Sequence, residues 1–187
     1  MREIRPILNQ LAMLCSPGFC GIVHADLKPV NIMVVNRSES PVRVKLIDFG
    51  IACNTSAVIP GDCVGTIGYC APEIMLGTPY DEAIDMWSLG LVAVELATGV
   101  PLYPGEDDYD RLDDLEQLLK VRLIKEMLAL DANQRITPSE VLKHPFFDPG
   151  LSRRTPSGVC LCVRFHSVSC SFILICILTE MQGEQTC

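Results

Sequence analysis

The first regular pattern in the chain is a set of apolar residues at helical spacing close to its start. Such spacing places these residues on one face of an amphipathic helix. Pro6 is tolerated in the first turn of that helix, and Pro17 with Gly18 ends it. The residues of the apolar face are Ile4, Ile7, Leu8, Leu11, Ala12 and Leu14.

Two short apolar runs follow, and their spacing predicts a β-hairpin. Ile32 to Val35 and Val42 to Ile47 are joined by Asn36 to Pro41, which has the composition of a turn. A hairpin of this length brings Asn31, just before the first strand, and Asp48, just after the second, to the same end.

The longest apolar segment, Ala83 to Thr98, is hydrophobic on nearly all sides. A helix of this kind is buried in a core or crosses a membrane. It is too short to cross and it carries Asp85 and Glu95, so we predict a buried helix. Asp81 is its expected N-cap, and Gly99 ends it.

Two more helices are predicted towards the end of the chain. One begins at Asp113 or Asp114 and continues to Leu128. The other begins at a capping box, Thr137-Pro138-Ser139-Glu140, with proline at the first helical position. The pattern as a whole predicts a mainly α domain with short β-hairpins.

Composition and charge narrow the class of protein. The 187 residues suffice for one domain with a real core, and the net charge of −8 provides no basic field for direct binding of nucleic acid. No CxxC pair occurs among the ten cysteines, which argues against a zinc site or a thioredoxin-like motif. We expect free thiols in an intracellular protein, in the nucleus or the cytoplasm.

The candidate chemistry flanks the predicted hairpin in the sequence. His24-Ala25-Asp26-Leu27-Lys28-Pro29-Val30-Asn31 precedes it, and Asp48-Phe49-Gly50 follows it. Two carboxylates, one amide and one ammonium would face a common point, a set suited to Mg²⁺ and a polyphosphate. The alternative is an ordinary hairpin with a polar rim, which the presence of both motifs in this order disfavours.

These two motifs resemble the catalytic loop and the DFG segment of protein kinases. The resemblance implies ATP and Mg²⁺ as cofactors and a protein serine or threonine hydroxyl as the acceptor. Asp26 would accept the proton of that hydroxyl, and Lys28 would neutralise the γ-phosphate. Asn31 and Asp48 would hold Mg²⁺.

The resemblance extends along the chain and gives structural or regulatory roles to further residues. Thr66, in a segment that ends in Ala71-Pro72-Glu73, would bond Asp26 and Lys28. Asp85 would accept hydrogen bonds from the backbone of the catalytic loop, because a buried carboxylate requires partners. The other residues with such roles are His24, Phe49, and Glu73 with Arg135 as a buried ion pair.

Within the kinases the chain resembles the homeodomain-interacting protein kinases, in the branch of the dual-specificity tyrosine-regulated kinases. The resemblance implies transcription-factor or co-regulator partners and no membrane partner. Ala25 replaces an arginine that would pair with an activation-loop phosphate, so activity should depend little on phosphorylation there. Cys63 falls near the position of an activating tyrosine, and Cys70 replaces an arginine common in the wider group.

The resemblance assigns residues 1–150 to the C-terminal lobe of a kinase domain. The 187 residues contain no GxGxxG motif and no strand lysine, so we expect the N-terminal lobe to be absent and the isolated chain to be inactive. A non-catalytic kinase-like binding module is the alternative function. Residues 151–187 would be a disordered cysteine-rich tail, a marginal membrane anchor or translation past an exon boundary, and the composition shift after Gly150 favours the last.

Overall fold

The computed structural model describes residues 4–16, 21–36, 42–54, 56, 64–103 and 121–148. In this part of the chain the helices are α1 (Ile4–Leu14), α2 (Pro72–Met75), α3 (Ala83–Thr98), α4 (Arg122–Met127) and α5 (Pro138–Lys143). The strands are β1 (Ile22–Val23), β2 (Ile32–Asn36), β3 (Arg43–Leu46) and β4 (Cys53–Asn54). Helices therefore dominate, as the pattern predicts.

Helix α3 lies at the centre of the core, and the prediction of a buried helix is confirmed. Residues 84–95 are all buried, including Asp85, Ser88 and Glu95. The helix ends at Gly99, whose φ of 78° is the left-handed conformation that favours glycine at this position. Asp81 caps the other end, because its Oδ1 accepts a hydrogen bond from the Ala83 amide at 2.9 Å.

The main core joins α1, α3, α4, α5 and the hairpin. The predicted apolar face of α1 is confirmed, since Ile7, Leu8, Leu11 and Ala12 are buried. Gly90 permits close approach of α3 and α4, because a Cβ there would lie 2.8 Å from Cδ2 of Leu128. The capping box of Thr137 and Glu140 is also present at the start of α5.

Strands β2 and β3 form the predicted antiparallel hairpin, with Ile32 opposite Leu46 and Val34 opposite Val44. The register shifts between Val34 and Asn36. A second pair, β1 with β4, places Val23 opposite Cys53 and was not predicted, because two-residue strands leave no periodic signal.

The predicted single helix that continues to Leu128 is wrong in its described part, because Val121 is extended and α4 begins only at Arg122. Several predictions fall outside the described residues: the helix start at Asp113 or Asp114, the environment of Cys63, the domain boundary near residue 150 and the tail 151–187. Among the described cysteines, Cys15, Cys53 and Cys70 form no disulfide. None of the helices described is both long enough and apolar enough to cross a membrane.

Candidate active site

Residues 24–31 form a loop, here the 24–31 loop, whose first backbone amides are hydrogen-bonded to a buried carboxylate of α3. Asp85 is 3% exposed, and it accepts hydrogen bonds from the His24 amide at 2.7 Å and the Ala25 amide at 3.0 Å. Ala25 has a φ of 64°, a conformation that costs a non-glycine residue free energy and persists only when its surroundings hold it. Burial raises the pKa of Asp85 to about 6, against the opposing effect of the two amides.

Four buried or part-buried side chains meet at this loop. Lys28 Nζ donates to Asp26 Oδ2 at 2.8 Å and to the Thr66 hydroxyl at 2.7 Å. Thr66 Oγ1 donates to Asp26 Oδ1 at 2.6 Å. Asn31 Nδ2 donates to the Asp26 backbone oxygen at 2.9 Å and to Oδ2 at 3.1 Å. The predicted contacts of Thr66 with Asp26 and Lys28 are therefore present.

The surroundings of Asp26 favour its ionised form. Partial burial raises its pKa, but hydrogen bonds from Lys28, Thr66 and Asn31, with the charge of Lys28, outweigh burial and lower it below the ordinary value. A carboxylate held in this way can accept a further hydrogen bond from an incoming hydroxyl.

The segment 47–51 approaches the same site from the end of the hairpin. The Ile47 amide donates to the Asn31 backbone oxygen at 2.9 Å, and the ring of His24 bonds the Ile47 carbonyl through Nε2 at 3.0 Å. Since Nδ1 of His24 accepts the Asp26 amide at 3.3 Å, Nε2 is the protonated nitrogen. Asp48 follows at a φ of 61°, with its side chain exposed.

Phe49 covers the ring of His24, with centroids 4.7 Å apart, and remains 52% exposed. The structure thus brings the 24–31 loop and the 47–51 segment together through His24 and Ile47. The backbone bond between the Ile47 amide and the Asn31 carbonyl places Asn31 and Asp48 at one end of the hairpin.

The donor set at this end fits Mg²⁺. Both hydrogen bonds of the Asn31 side chain use Nδ2, so Oδ1 remains as an oxygen ligand beside the Asp48 carboxylate. Mg²⁺ usually takes one or two protein carboxylates and completes its shell with water and phosphate oxygens. The described ranges contain no group of three His, Cys, Asp or Glu side chains that could hold a metal ion by themselves.

Comparison with known proteins agrees with this geometry. The sequence model of the protein kinase domain matches residues 4–147. The chain belongs to the protein kinase domain family. It is 49% identical to homeodomain-interacting protein kinase 2 of Mus musculus over 118 residues, which cover 63% of this chain and 10% of that protein.

Two further relatives have the same family name. Identity is 50% over 113 residues with homeodomain-interacting protein kinase 1 of Caenorhabditis elegans, covering 60% of this chain and 13% of the relative. Identity is 46% over 114 residues with homeodomain-interacting protein kinase 4 of Homo sapiens, covering 59% of this chain and 18% of that relative. The predicted resemblance to this group is confirmed, and the chain spans less than a fifth of the length of these relatives.

Near Thr66, Tyr69 is hydrogen-bonded to two buried residues of α3, Glu95 and Ser88. The Tyr69 hydroxyl donates to Glu95 Oε2, and the Ser88 hydroxyl donates to the Tyr69 carbonyl at 2.8 Å. Burial and the neighbouring Glu95 raise the pKa of Tyr69 well above its ordinary value, so the phenol stays protonated as the donor. The turn that carries Thr66 is therefore fastened to α3 at two points.

The predicted buried ion pair is also present in the kinase domain. Arg135 Nη1 and Nη2 bond the two oxygens of Glu73 at 2.6 and 3.0 Å, and Nη1 also donates to the Ala83 carbonyl at 2.9 Å. The guanidinium lies over the ring of Trp87, 5.3 Å from its centroid. This pair joins the end of the Thr66 segment to the start of α3.

Sequence reasoning missed some polar residues that organise the kinase domain. Tyr69, Ser88 and Glu95 lie in segments dominated by other signals, and their pairing depends on how the chain folds around α3. Gln10, on α1, bonds the edge of β3. The weak signal for Glu95 was a carboxylate inside an apolar helix, which requires a partner.

Proposed function

We propose that this chain is the C-terminal lobe of a protein serine/threonine kinase, which transfers the γ-phosphate of ATP to a protein hydroxyl. The observation that carries the proposal is the Asp26 carboxylate fixed by Lys28, Asn31 and Thr66. A polar rim without chemistry would have no need to aim an ammonium, an amide and a hydroxyl at one carboxylate.

In this proposal Asp26 orients the acceptor hydroxyl and takes its proton as the new oxygen–phosphorus bond forms and the bond to ADP breaks. The low pKa of Asp26 suits orientation more than early proton removal. Phosphoryl transfer tolerates this, because its loose transition state depends mainly on positioning and charge stabilisation. Lys28 Nζ, already bonded to Asp26, would stabilise charge on the transferred phosphoryl oxygens.

Asn31 and Asp48 would hold Mg²⁺, which supplies charge neutralisation on the phosphates when bound. Both residues offer hard oxygen ligands, and the exposed position of Asp48 leaves its carboxylate open to the solvent side. His24 would link the two motifs, since it bonds the Asp26 amide on one side and the Ile47 carbonyl on the other.

The partners and the domain limits belong to the same proposal. We place the lobe in residues 1–150 and treat 151–187 as a separate segment. The relatives are named for interaction with homeodomain proteins, so we propose a transcription factor or co-regulator as the protein partner, in the nucleus or cytoplasm.

A chimera tests the activity. Residues 4–148 replace the corresponding part of homeodomain-interacting protein kinase 2 of Mus musculus, and phosphate transfer from labelled ATP to a protein acceptor is measured. We expect transfer, and we expect Asp26→Asn to lower kcat by about 10²- to 10⁴-fold, the usual contribution of a positioned acid–base group. Asp81→Asn is the matched control, because asparagine also caps a helix and the residue lies outside the site.

Equal rates for the parent chimera and Asp26→Asn would contradict the proposed role of Asp26. A folded chimera with no transfer would contradict the proposed activity and favour a non-catalytic kinase-like binding module.

A further inference from the structure

The side chain of Gln10 on α1 occupies the outer edge of β3. Its Nε2 donates to the Val42 carbonyl at 2.8 Å and to the Pro6 carbonyl at 2.9 Å. Its Oε1 accepts the Val44 amide at 3.2 Å. One helical side chain thus takes the place of a neighbouring strand at two backbone groups, the Val42 carbonyl just before β3 and the Val44 amide within it.

The network leaves one orientation for the Gln10 amide. Both hydrogens of Nε2 point at carbonyl oxygens, and the oxygen faces an amide hydrogen. A flipped amide would oppose two carbonyls with its oxygen and a backbone N–H with its NH₂ group. The contact is therefore specific in direction as well as in position.

The hairpin needs such a contact because its own pairing is irregular at this point. The register between β2 and β3 shifts between Val34 and Asn36, close to where Gln10 binds. Apolar packing of Val44 on α1 does not fix the strand along its axis, because hydrophobic contact is non-directional. Hydrogen bonds to defined backbone groups do fix it.

The geometry points to Gln10 as a positioning residue that sets the register of β3 on α1 and thereby the place of Asp48. This inference rests on the proposed function, in which Asp48 holds Mg²⁺. Asp48 lies four positions after Val44, about 13 Å of extended chain at about 3.3 Å per residue. A strand that slips along α1 therefore carries Asp48 with it.

The magnesium site would be sensitive to this slip. Mg²⁺ requires nearly ideal octahedral geometry at about 2.0–2.1 Å, and sites tolerate errors of only about 0.5 Å. The side chain of Asn31 is restrained by its bonds to Asp26, so movement of β3 would strain the bond between the Ile47 amide and the Asn31 carbonyl and change the spacing of the two ligands.

The test compares Gln10→Met, which keeps length and removes all three hydrogen bonds, with Ile124→Val, which trims the packing between α3 and α4. Amide resonances of the full chain are recorded by NMR. We expect Gln10→Met to move the Ile47 and Asp48 resonances and to speed exchange at the Val44 amide by about tenfold, the scale of one hydrogen bond. Ile124→Val should do neither. Unchanged Ile47 and Asp48 resonances, or equal changes in both variants, would overturn the inference.

Gln10→Glu provides a second variant that does not depend on how well Gln10→Met folds. Protonation of the introduced carboxyl restores a donor for the Val42 carbonyl, and ionisation removes it. The Asp48 resonance should therefore follow the titration of that carboxyl, beyond the pH dependence of the wild type. An Asp48 resonance that ignores the titration would count against Gln10 as the positioning residue.

Binding of Mn²⁺ with ADP, followed by electron paramagnetic resonance, separates this inference from the proposed function. We expect Gln10→Met to raise the Kd for Mn²⁺ about threefold or more. We expect Asp48→Asn to abolish Mn²⁺ binding. A wild-type chain that binds no Mn²⁺ would contradict the proposed metal role of Asp48, while the Ile47 and Asp48 resonances would still decide the role of Gln10.

Discussion

The 24–31 loop and the 47–51 segment reach the same site but are held in different ways. The loop is largely buried, its amides bond Asp85, and its polar side chains bond one another. Residues 47–51 are all exposed, and the segment is tied to the loop mainly at Ile47. The described residues thus hold the Asp26 half of the candidate site by many hydrogen bonds and leave the Asp48 half exposed.

The largest effect is expected beneath the loop, at Asp85. Asp85→Ala leaves the His24 and Ala25 amides without acceptors, and each unsatisfied buried donor costs about 1–3 kcal/mol. We therefore expect a loss of about 2–6 kcal/mol of unfolding free energy in urea, against about 0.5 kcal/mol or less for Glu82→Ala just before the same helix. If Asp85→Ala has the same unfolding free energy as the wild type, the hydrogen bonds between the loop and Asp85 do not stabilise the fold.

The ion pair that joins the Thr66 segment to α3 should give a similar loss. Glu73→Ala or Arg135→Ala should cost about 3–5 kcal/mol, because each leaves one buried charge unpaired. The double change Glu73→Leu with Arg135→Met should cost less than either, since it removes both charges. Thermal melts of the three variants measure this, and a single variant that melts with the parent would show that the pair is not buried in solution.

Matched truncations in the two regions test the comparison directly. Leu27 in the loop is 1% exposed and Phe49 in the segment is 52% exposed. Leu27→Ala should cost about 2–5 kcal/mol, the range for buried leucines. Phe49→Ala should cost about 0.5–1.5 kcal/mol, the value of an aromatic pair such as Phe49 with His24. Equal losses in urea titrations would mean that both regions are packed alike.

The pH dependence should have opposite signs at the two aspartates. The pKa of Asp85 is raised to about 6, so the native state binds the extra proton. Its contribution is full below the ordinary aspartate value, and on the order of 3 kcal/mol is lost as pH rises through 6, at about 1.4 kcal/mol per pKa unit. The pKa of Asp26 is lowered, so its contribution is present above the ordinary value and is lost as pH falls through the lowered pKa.

Differences in unfolding free energy between the wild type and single variants isolate the contributions of Asp85 and Asp26. The stability advantage of the wild type over Asp85→Asn should shrink between pH 4 and pH 7, and its advantage over Asp26→Asn should grow as pH rises from acid values. Parallel curves for either variant would show that the corresponding carboxyl titrates normally.

Much of this architecture could be read from the sequence because it depends on local signals. The face of α1, the buried α3 and the capping box follow from spacing and from residue types with fixed preferences. Asp26, Lys28, Thr66 and Asp85 were found because their motifs stand in a recognisable order. Their contacts in the structure agree with the expected arrangement.

Other features depend on tertiary placement and left no local signal. The positive φ of Ala25 accompanies the hydrogen bonds of the His24 and Ala25 amides to Asp85, and alanine itself does not predict it. The bond between Tyr69 and Glu95 and the contact of Gln10 with β3 join segments that are far apart in sequence. In the sequence, polar residues of this kind cannot be distinguished from ordinary surface residues, because their partners lie far away along the chain.

Amide hydrogen exchange tests the central claim most directly, namely that the loop carrying Asp26 is assembled by the described residues while the exposed Asp48 segment is held by Ile47 and the ring contact of Phe49. Exchange of the full chain would be followed by NMR. The account predicts that the His24, Ala25 and Asn31 amides exchange only through global unfolding, and that the exposed Phe49 and Ile51 amides exchange much faster. Equal protection of the loop and the segment, or fast exchange at His24 and Ala25, would contradict it.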